Sequence, residues 1–277
     1  MTRIISLAAL TVLELPPPEM VSCAAQAGYS HLGLRLHPVL AQSALQYPIV
    51  GDVSMTREVR RRLDDTGIRI LDVEFIRIEP DTRVADFVPM LETGASFGAR
   101  HVLATGNDPE ERRLAERFGE LCDAAAPFGL AVNLEPIPLM LLRTLAQALR
   151  VLAAADRPNC GIVIDPIHFD RSGERLENIA GIPRKWLHYM QFCDAPAERP
   201  DVAGMQQQAR FERLPPGEGG LDLLGILRAL PRDLPIGLEV PMTELARSVP
   251  PLERARRVLA ATRSVLLRLE EADRSVR

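Results

Sequence analysis

One unit recurs along this chain: a short apolar run, a polar turn, then an amphipathic stretch. The apolar runs fall at 3–9, 31–37, 68–76, 100–106, 130–136, 160–166, 186–194 and 235–241. Strands separated by helix-length segments pair in parallel, because each crossover carries the chain back to the starting end of the sheet. Eight such units in 277 residues predict an α/β fold, a single (β/α)8 barrel with 1–277 as one domain. A doubly wound sheet is the structural alternative, but no glycine-rich phosphate turn follows the first run. Gly28, Gly67 and Gly129 end three of the helical stretches, as left-handed C-caps do. The segment 195–220 reads as the longest irregular stretch. It follows the seventh run and so lies at the C-terminal face of the barrel, where it could cover a neighbouring subunit's site in a homo-oligomer.

Composition narrows the function classes. The chain is 47% hydrophobic and 25% charged, enough for a large core. Lys and Arg total 33 against 37 Asp and Glu, giving a net charge of −4, and no basic block exceeds short runs such as Arg60-Arg61-Arg62. A nucleic-acid partner is not favoured by that balance. The opening "MTRIISLAALTVLELPPPEM" has Arg3 before an apolar run, but Glu14 and three prolines follow where a cleavage site would stand, so a first strand is expected. No run reaches the roughly 18 apolar residues of a membrane span. Cys23, Cys122, Cys160 and Cys193 are widely spaced, which suits free thiols in the cytoplasm better than disulfides or structural zinc.

Side chains on a barrel strand alternate between interior and helix layer. In "LAVNLEP", Leu130, Val132 and Leu134 suit the helix layer, which turns Glu135 inward. The same parity points Asp165 of "GIVID", Gln191 of "LHYMQFCD" and Glu239 of "IGLEV" into the barrel mouth. Each alone has an ordinary reading: a helix cap for Asp165, strand terminators for Glu135 and Glu239, an incidental polar residue for Gln191. Together they come from four consecutive strands spaced about 4.8 Å apart. Three carboxylates converging in a low-dielectric site need raised pKa values or a cation, and a divalent metal resolves the conflict. Arg35 and Glu74 lie at inward parity near the ends of runs two and three and are expected to line the pocket, whereas His101 starts run four and belongs toward the opposite end.

The motifs "AVNLEP", "VIDPIHF", "MQFCDAP", "RLPPGEGGLDL" and "GLEVP", in this order, resemble the xylose isomerase-like barrel superfamily, in its sugar phosphate isomerase/epimerase branch. The resemblance implies one divalent metal held by Glu135, Asp165, Gln191 and Glu239. Many epimerase relatives have histidine where Gln191 stands, and glutamine is similar to the 3-dehydroshikimate dehydratase type. An all-oxygen set suits Mg²⁺ or Mn²⁺, with Co²⁺ the further option. It also implies substrate contacts from His168 and Arg210, to which parity adds Arg35 and Glu74. The chemistry implied is removal of a proton next to the carbonyl of a small polyhydroxylated substrate, with Glu135, Glu239 and His168 as the catalytic groups. Isomerisation, epimerisation and dehydration all begin in this way. Two other classes share the fold. Metal-dependent apurinic-site endonucleases use a histidine-rich three-metal site, and this chain has only His31, His37, His101, His168 and His188. A sugar-binding barrel without turnover would have no need of His168 as a base.

Overall fold

The computed structural model describes residues 3–38 and 47–275. Eight strands form one sheet: β1 (Ile5–Leu7), β2 (His31–Arg35), β3 (Arg69–Ile78), β4 (His101–Gly106), β5 (Ala131–Leu134), β6 (Cys160–Ile162), β7 (Met190–Phe192) and β8 (Ile236–Leu238). Their order is β6-β5-β4-β3-β2-β1-β8-β7, and every pair is parallel. The two ends meet through a parallel bridge between Ile162 and Leu187, and the Gln191 amide donates to the Ile164 carbonyl at 3.1 Å. This is the (β/α)8 barrel expected from the alternating pattern.

The paired strands are shorter than the apolar runs that contain them. The chain nevertheless keeps its extended path: the Val163 amide donates to Leu134 at 3.0 Å and the Glu135 amide to Ala104 at 2.8 Å. The polar residues therefore emerge directly from the ends of the ladders.

Among the described residues ten α-helices connect and cover the strands: α1 (Pro17–Ala27), α2 (Val53–Thr66), α3 (Val88–Ser96), α4 (Glu111–Ala125), α5 (Leu145–Ala155), α6 (Pro166–Arg171), α7 (Leu176–Ala180), α8 (Val202–Arg210), α9 (Leu223–Ala229) and α10 (Pro251–Ser275). Local sequence explains their ends. Thr144 and Gln147 form a capping box at the start of α5, while Gly28 and Gly67 close α1 and α2 at φ of 91° and 72°. Helix α8 corrects the expectation that 195–220 is irregular throughout. Asp201 caps it by accepting from the Gly204 amide at 2.8 Å. Its apolar pattern is weak because only Met205 and Ala209 are buried in it.

Two apolar clusters divide the interior. The larger lies between strands and helices and includes Val132, Leu134, Ile162, Phe192, Ile236 and Leu238. The smaller fills the barrel with Leu71, Phe75, Leu103, Ile137, Met140, Val163 and Tyr189. Strand parity is thus as expected, and each large apolar side chain fully buried contributes about 1.5–3 kcal/mol.

Gly161 shows how tightly the β5–β6 level is filled. A Cβ there would lie 2.5 Å from both Asn133 Oδ1 and His188 Nδ1, atoms that are 2.8 Å apart in a hydrogen bond. Gly161→Ala should lower stability by about 1–3 kcal/mol, the usual cost of overpacking. Gly181→Ala, whose added Cβ would meet Asn178 O at 3.9 Å, should be neutral or slightly stabilising. Urea unfolding midpoints measured on both variants check the pair.

Candidate active site

At the C-terminal end of the barrel a cavity of about 290 Å³ opens among Leu10, Leu13, Arg35, Phe75, Leu103, Glu135, Ile137, Leu139, Met140, His168, Ala209, Arg210, Phe211, Arg213 and Glu239. Glu135 directly follows β5 and Glu239 directly follows β8, so the strand ends aim both. Asp165 stands at the N-cap of α6, where its Oδ1 accepts from the Ile167 amide at 3.0 Å. The ordinary reading of Asp165 as a helix cap is therefore correct, and it coexists with a place in the site. The turn that follows puts His168 on α6, not on an open loop. Glu135, Asp165 and His168 each present a donor atom, all within 4.8 Å of one another.

The most consequential residue is one the strand reading passed over. Arg213 is fully buried, and its guanidinium joins Asp165 Oδ2 at 2.7 Å to Glu239 Oε2 at 2.8 Å. It also donates to the carbonyls of Ala209 at 3.0 Å and Glu239 at 3.1 Å. Arg210, the arginine expected to contact substrate, lies on the same cavity but is exposed at the end of α8. Parity could not find Arg213, because it sits on a loop. The signal was present as the first residue of "RLPPGEGG".

Asp194 fixes that loop. Its Oδ1 accepts from the amides of Ala195 at 2.8 Å and Leu221 at 3.1 Å, and its Oδ2 from Gly217 at 2.9 Å and Gly219 at 3.0 Å. Backbone bonds of 2.9 Å in both directions tie Asp194 to Leu214, next to Arg213.

Arg35 lines the cavity and pairs with the fully buried Glu74 at 3.0 Å. Glu74 sits below it and does not border the cavity. Asp72, another buried acid, lies close enough to Glu74 and Glu239 to feel both. Of the five histidines, His168 is the one that lines the cavity among the described residues. His101 lies at the start of β4, as expected, and stacks on His188 and Tyr189 with ring centroids 5.6 and 5.2 Å apart.

Burial and mutual repulsion set the charges. Glu135 is pushed well above the usual carboxylate range by burial, then by Asp165 and Glu239. Glu239 is raised to about 7 by burial, which Arg213 opposes and Glu74 and Asp165 reinforce. Burial acts on Asp165 in the same direction, but Arg213, His168 and the Ile167 amide outweigh it and hold this carboxyl low. Burial brings His168 down to about 4, against the pull of Asp165, so its ring is neutral at neutral pH.

Glu135 Oε1 in this cluster and Gln191 Oε1 on β7 are both buried without a partner. Buried acceptors without donors are costly, and their lone pairs suit a cation. The cluster thus has the donor chemistry of a divalent-metal site.

The chain belongs to the xylose isomerase-like TIM barrel family, whose model matches residues 21–265. It is 29% identical to an inosose isomerase from Bacillus velezensis over 157 residues, 53% of this chain and 54% of that protein. It is 30% identical to a 3-dehydroshikimate dehydratase from Pseudomonas aeruginosa over 185 residues, 62% of this chain and 28% of the dehydratase. The chain thus spans about half the length of the curated inosose isomerase it matches. Among solved structures it superposes on the IolI protein, described with a bound zinc atom, at a TM-score of 0.79 and 20% identity, covering 96% of this chain and 99% of that one.

Removing the Arg213 charge would strand two buried carboxylates. Arg213→Met should cost about 3–5 kcal/mol near neutral pH, the scale for breaking a buried ion pair from one side. Asp165 is held low, so its share of stability is present above pH 3.8 and lost as pH falls below it. The gap between wild type and variant should therefore narrow toward pH 3. Chemical unfolding of both proteins in the presence of a chelator measures it.

Proposed function

We propose that this protein is a divalent-metal-dependent isomerase or epimerase that removes a proton α to the carbonyl of a small, sugar-like hydroxycarbonyl substrate. The observation that carries the reading is the buried cluster of Glu135, Asp165 and His168, in which Glu135 Oε1 has no partner, on a barrel whose named relatives include an inosose isomerase. Glu135, Asp165, Gln191 and Glu239 would hold the metal. Their oxygens suit Mg²⁺ or Mn²⁺, with Co²⁺ the further option. A bound divalent ion would polarise the substrate carbonyl and stabilise negative charge on its oxygen.

The chain's own groups supply the rest. His168 is neutral at neutral pH and lines the cavity, so it can accept a proton or hydrogen-bond a substrate hydroxyl. Glu135 and Glu239 flank the same space and are the candidate pair for passing a proton from one face of the substrate to the other. Arg213 fixes the orientation of Glu239 and Asp165, while the buried Arg35 and the exposed Arg210 border the cavity and offer donors to substrate oxygens. Glu74 supports Arg35 from beneath.

Dehydration is the second reading. The match to a 3-dehydroshikimate dehydratase favours it, together with glutamine at 191. In that case the proton leaves the α-carbon in the same way and a β-hydroxyl departs, with His168 as the first candidate base. Four buried free cysteines suit a reducing compartment, and we place the protein in the cytoplasm. Among the described residues no helix is long and apolar enough to cross a membrane.

His168→Ala should reduce turnover by roughly 10²-fold or more, the scale of general acid–base catalysis, with metal content near wild type. Glu239→Gln should lower both turnover and metal content. Elemental analysis paired with solvent-deuterium incorporation into substrate separates the two roles. Wild-type exchange in His168→Ala would transfer the base to a glutamate.

A further inference from the structure

We infer that Cys193 is a positioning residue for the metal site: its thiol occupies Asp165 Oδ1, so that Asp165 offers a bound cation one oxygen only, which favours Mg²⁺ or Mn²⁺ over Ca²⁺. This deepens the proposed reading and rests on it.

Cys193 directly follows β7 and is fully buried. The strand holds it on one side. On the other, its neighbour Asp194 is tied to Leu214 by backbone bonds of 2.9 Å in both directions. From this fixed place its Sγ donates to Asp165 Oδ1 at 3.4 Å and accepts from Arg213 Nη1 at 3.6 Å. Arg213 Nη1 in turn donates to Asp165 Oδ2 at 2.7 Å, so thiol, guanidinium and carboxylate close a ring. The Ile167 amide is a further donor to Oδ1 at 3.0 Å. A carboxylate has about four lone-pair positions, two on each oxygen. Both on Asp165 Oδ1 are taken and one on Oδ2 is taken, which leaves the remaining position on Oδ2 for a cation. Anchors from α6, from the end of β7 and from the loop carrying Arg213 also keep the carboxylate from turning.

The other two acids are less confined. Glu135 Oε1 has no partner, and Arg213 engages Glu239 through Oε2. Asp165 is thus the carboxylate whose binding mode is set before a cation arrives. Ca²⁺ gathers roughly 6–8 oxygens and takes carboxylates through both of theirs, whereas Mg²⁺ demands a compact octahedron and Mn²⁺ accepts the same one. A thiol suits the task. It is a weak donor, so it holds Oδ1 without drawing off much of the charge a cation needs, and its sulfur sits among apolar neighbours at little cost. With the S–H removed, a lone pair on Oδ1 opens and both oxygens can close on a larger ion.

The test titrates Mn²⁺ and Ca²⁺ separately, by calorimetry, into the full chain freed of metal with a chelator. Wild type, Cys193→Ala and Cys193→Ser are compared, with thermal melts in chelator confirming the fold. Wild type should prefer Mn²⁺. Cys193→Ala should weaken Mn²⁺ binding roughly tenfold or more, the scale for losing a group that orients a metal ligand, while Ca²⁺ binding holds or tightens. Cys193→Ser keeps a donor and should restore most of the preference. Equal affinity of wild type for the two ions overturns the inference, as does an alanine variant with the wild-type preference or a serine variant shifted as far as alanine. Failure of wild type to bind either ion overturns the proposed metal site, and this inference with it. A Raman measurement covers an alanine variant that does not fold. Wild type in chelator should show one S–H stretching band displaced downward, still present with Mn²⁺ bound and missing from Cys193→Ser. The absence of a displaced band also overturns the inference.

Discussion

One guanidinium between two carboxylates governs this structure. The barrel topology delivers Asp165 and Glu239 to the same buried place from strands that are not neighbours in the sheet order, and Glu135 arrives beside them. Without a counter-charge the three would repel strongly in a medium that screens little. Arg213 bridges two of them, and the third is left with its carboxyl displaced upward and one oxygen unpartnered. The loop after β7 and the N-cap of α6 each supply a group to that arrangement.

The sequence made much of this legible. Alternation along β5 to β8 pointed Glu135, Asp165, Gln191 and Glu239 inward, because a period of two is a steric consequence of strand geometry; Glu135 and Glu239 border the cavity and Asp165 pairs with Arg213. The eight units likewise announced the barrel. What stayed hidden was what depends on loops. Arg213 enters from a segment with no period, so no rule of alternation could aim it, and the resemblance pointed to nearby Arg210. The helix α8 was missed because glycine and three glutamines dilute its apolar stripe. Asp165 teaches a different lesson: capping α6 and facing the acids are compatible duties for one carboxylate with two oxygens, one bonded to an amide and the other to Arg213.

The same division between strand and loop separates chemistry from shape. Groups that carry charge stand at strand ends or are tied to them by ion pairs, where the barrel limits their movement. The apolar lining of the cavity mixes barrel residues such as Phe75 and Leu103 with loop residues such as Leu139 and Phe211. Part of that lining is therefore built into the core, and part is set by segments whose replacement would leave the sheet intact.

Asp194 gives this arrangement an evolutionary reach. Four backbone amides, from Ala195, Gly217, Gly219 and Leu221, converge on its carboxylate, and the approach needs glycine at 219, where a Cβ would come within 2.4 Å of Asp194 Oδ1. The anchored amides of Gly217, Gly219 and Leu221 lie downstream of Arg213, while α8 and Phe211 lie upstream. The residues of α8 ahead of its last turn can thus change, provided the Ala209 carbonyl still accepts from Arg213, and the arginine returns to the same spot. A single aspartate in this position turns a loop into an interchangeable cassette, so descendants of such a barrel can change what they recognise without first relearning how to hold their acids together.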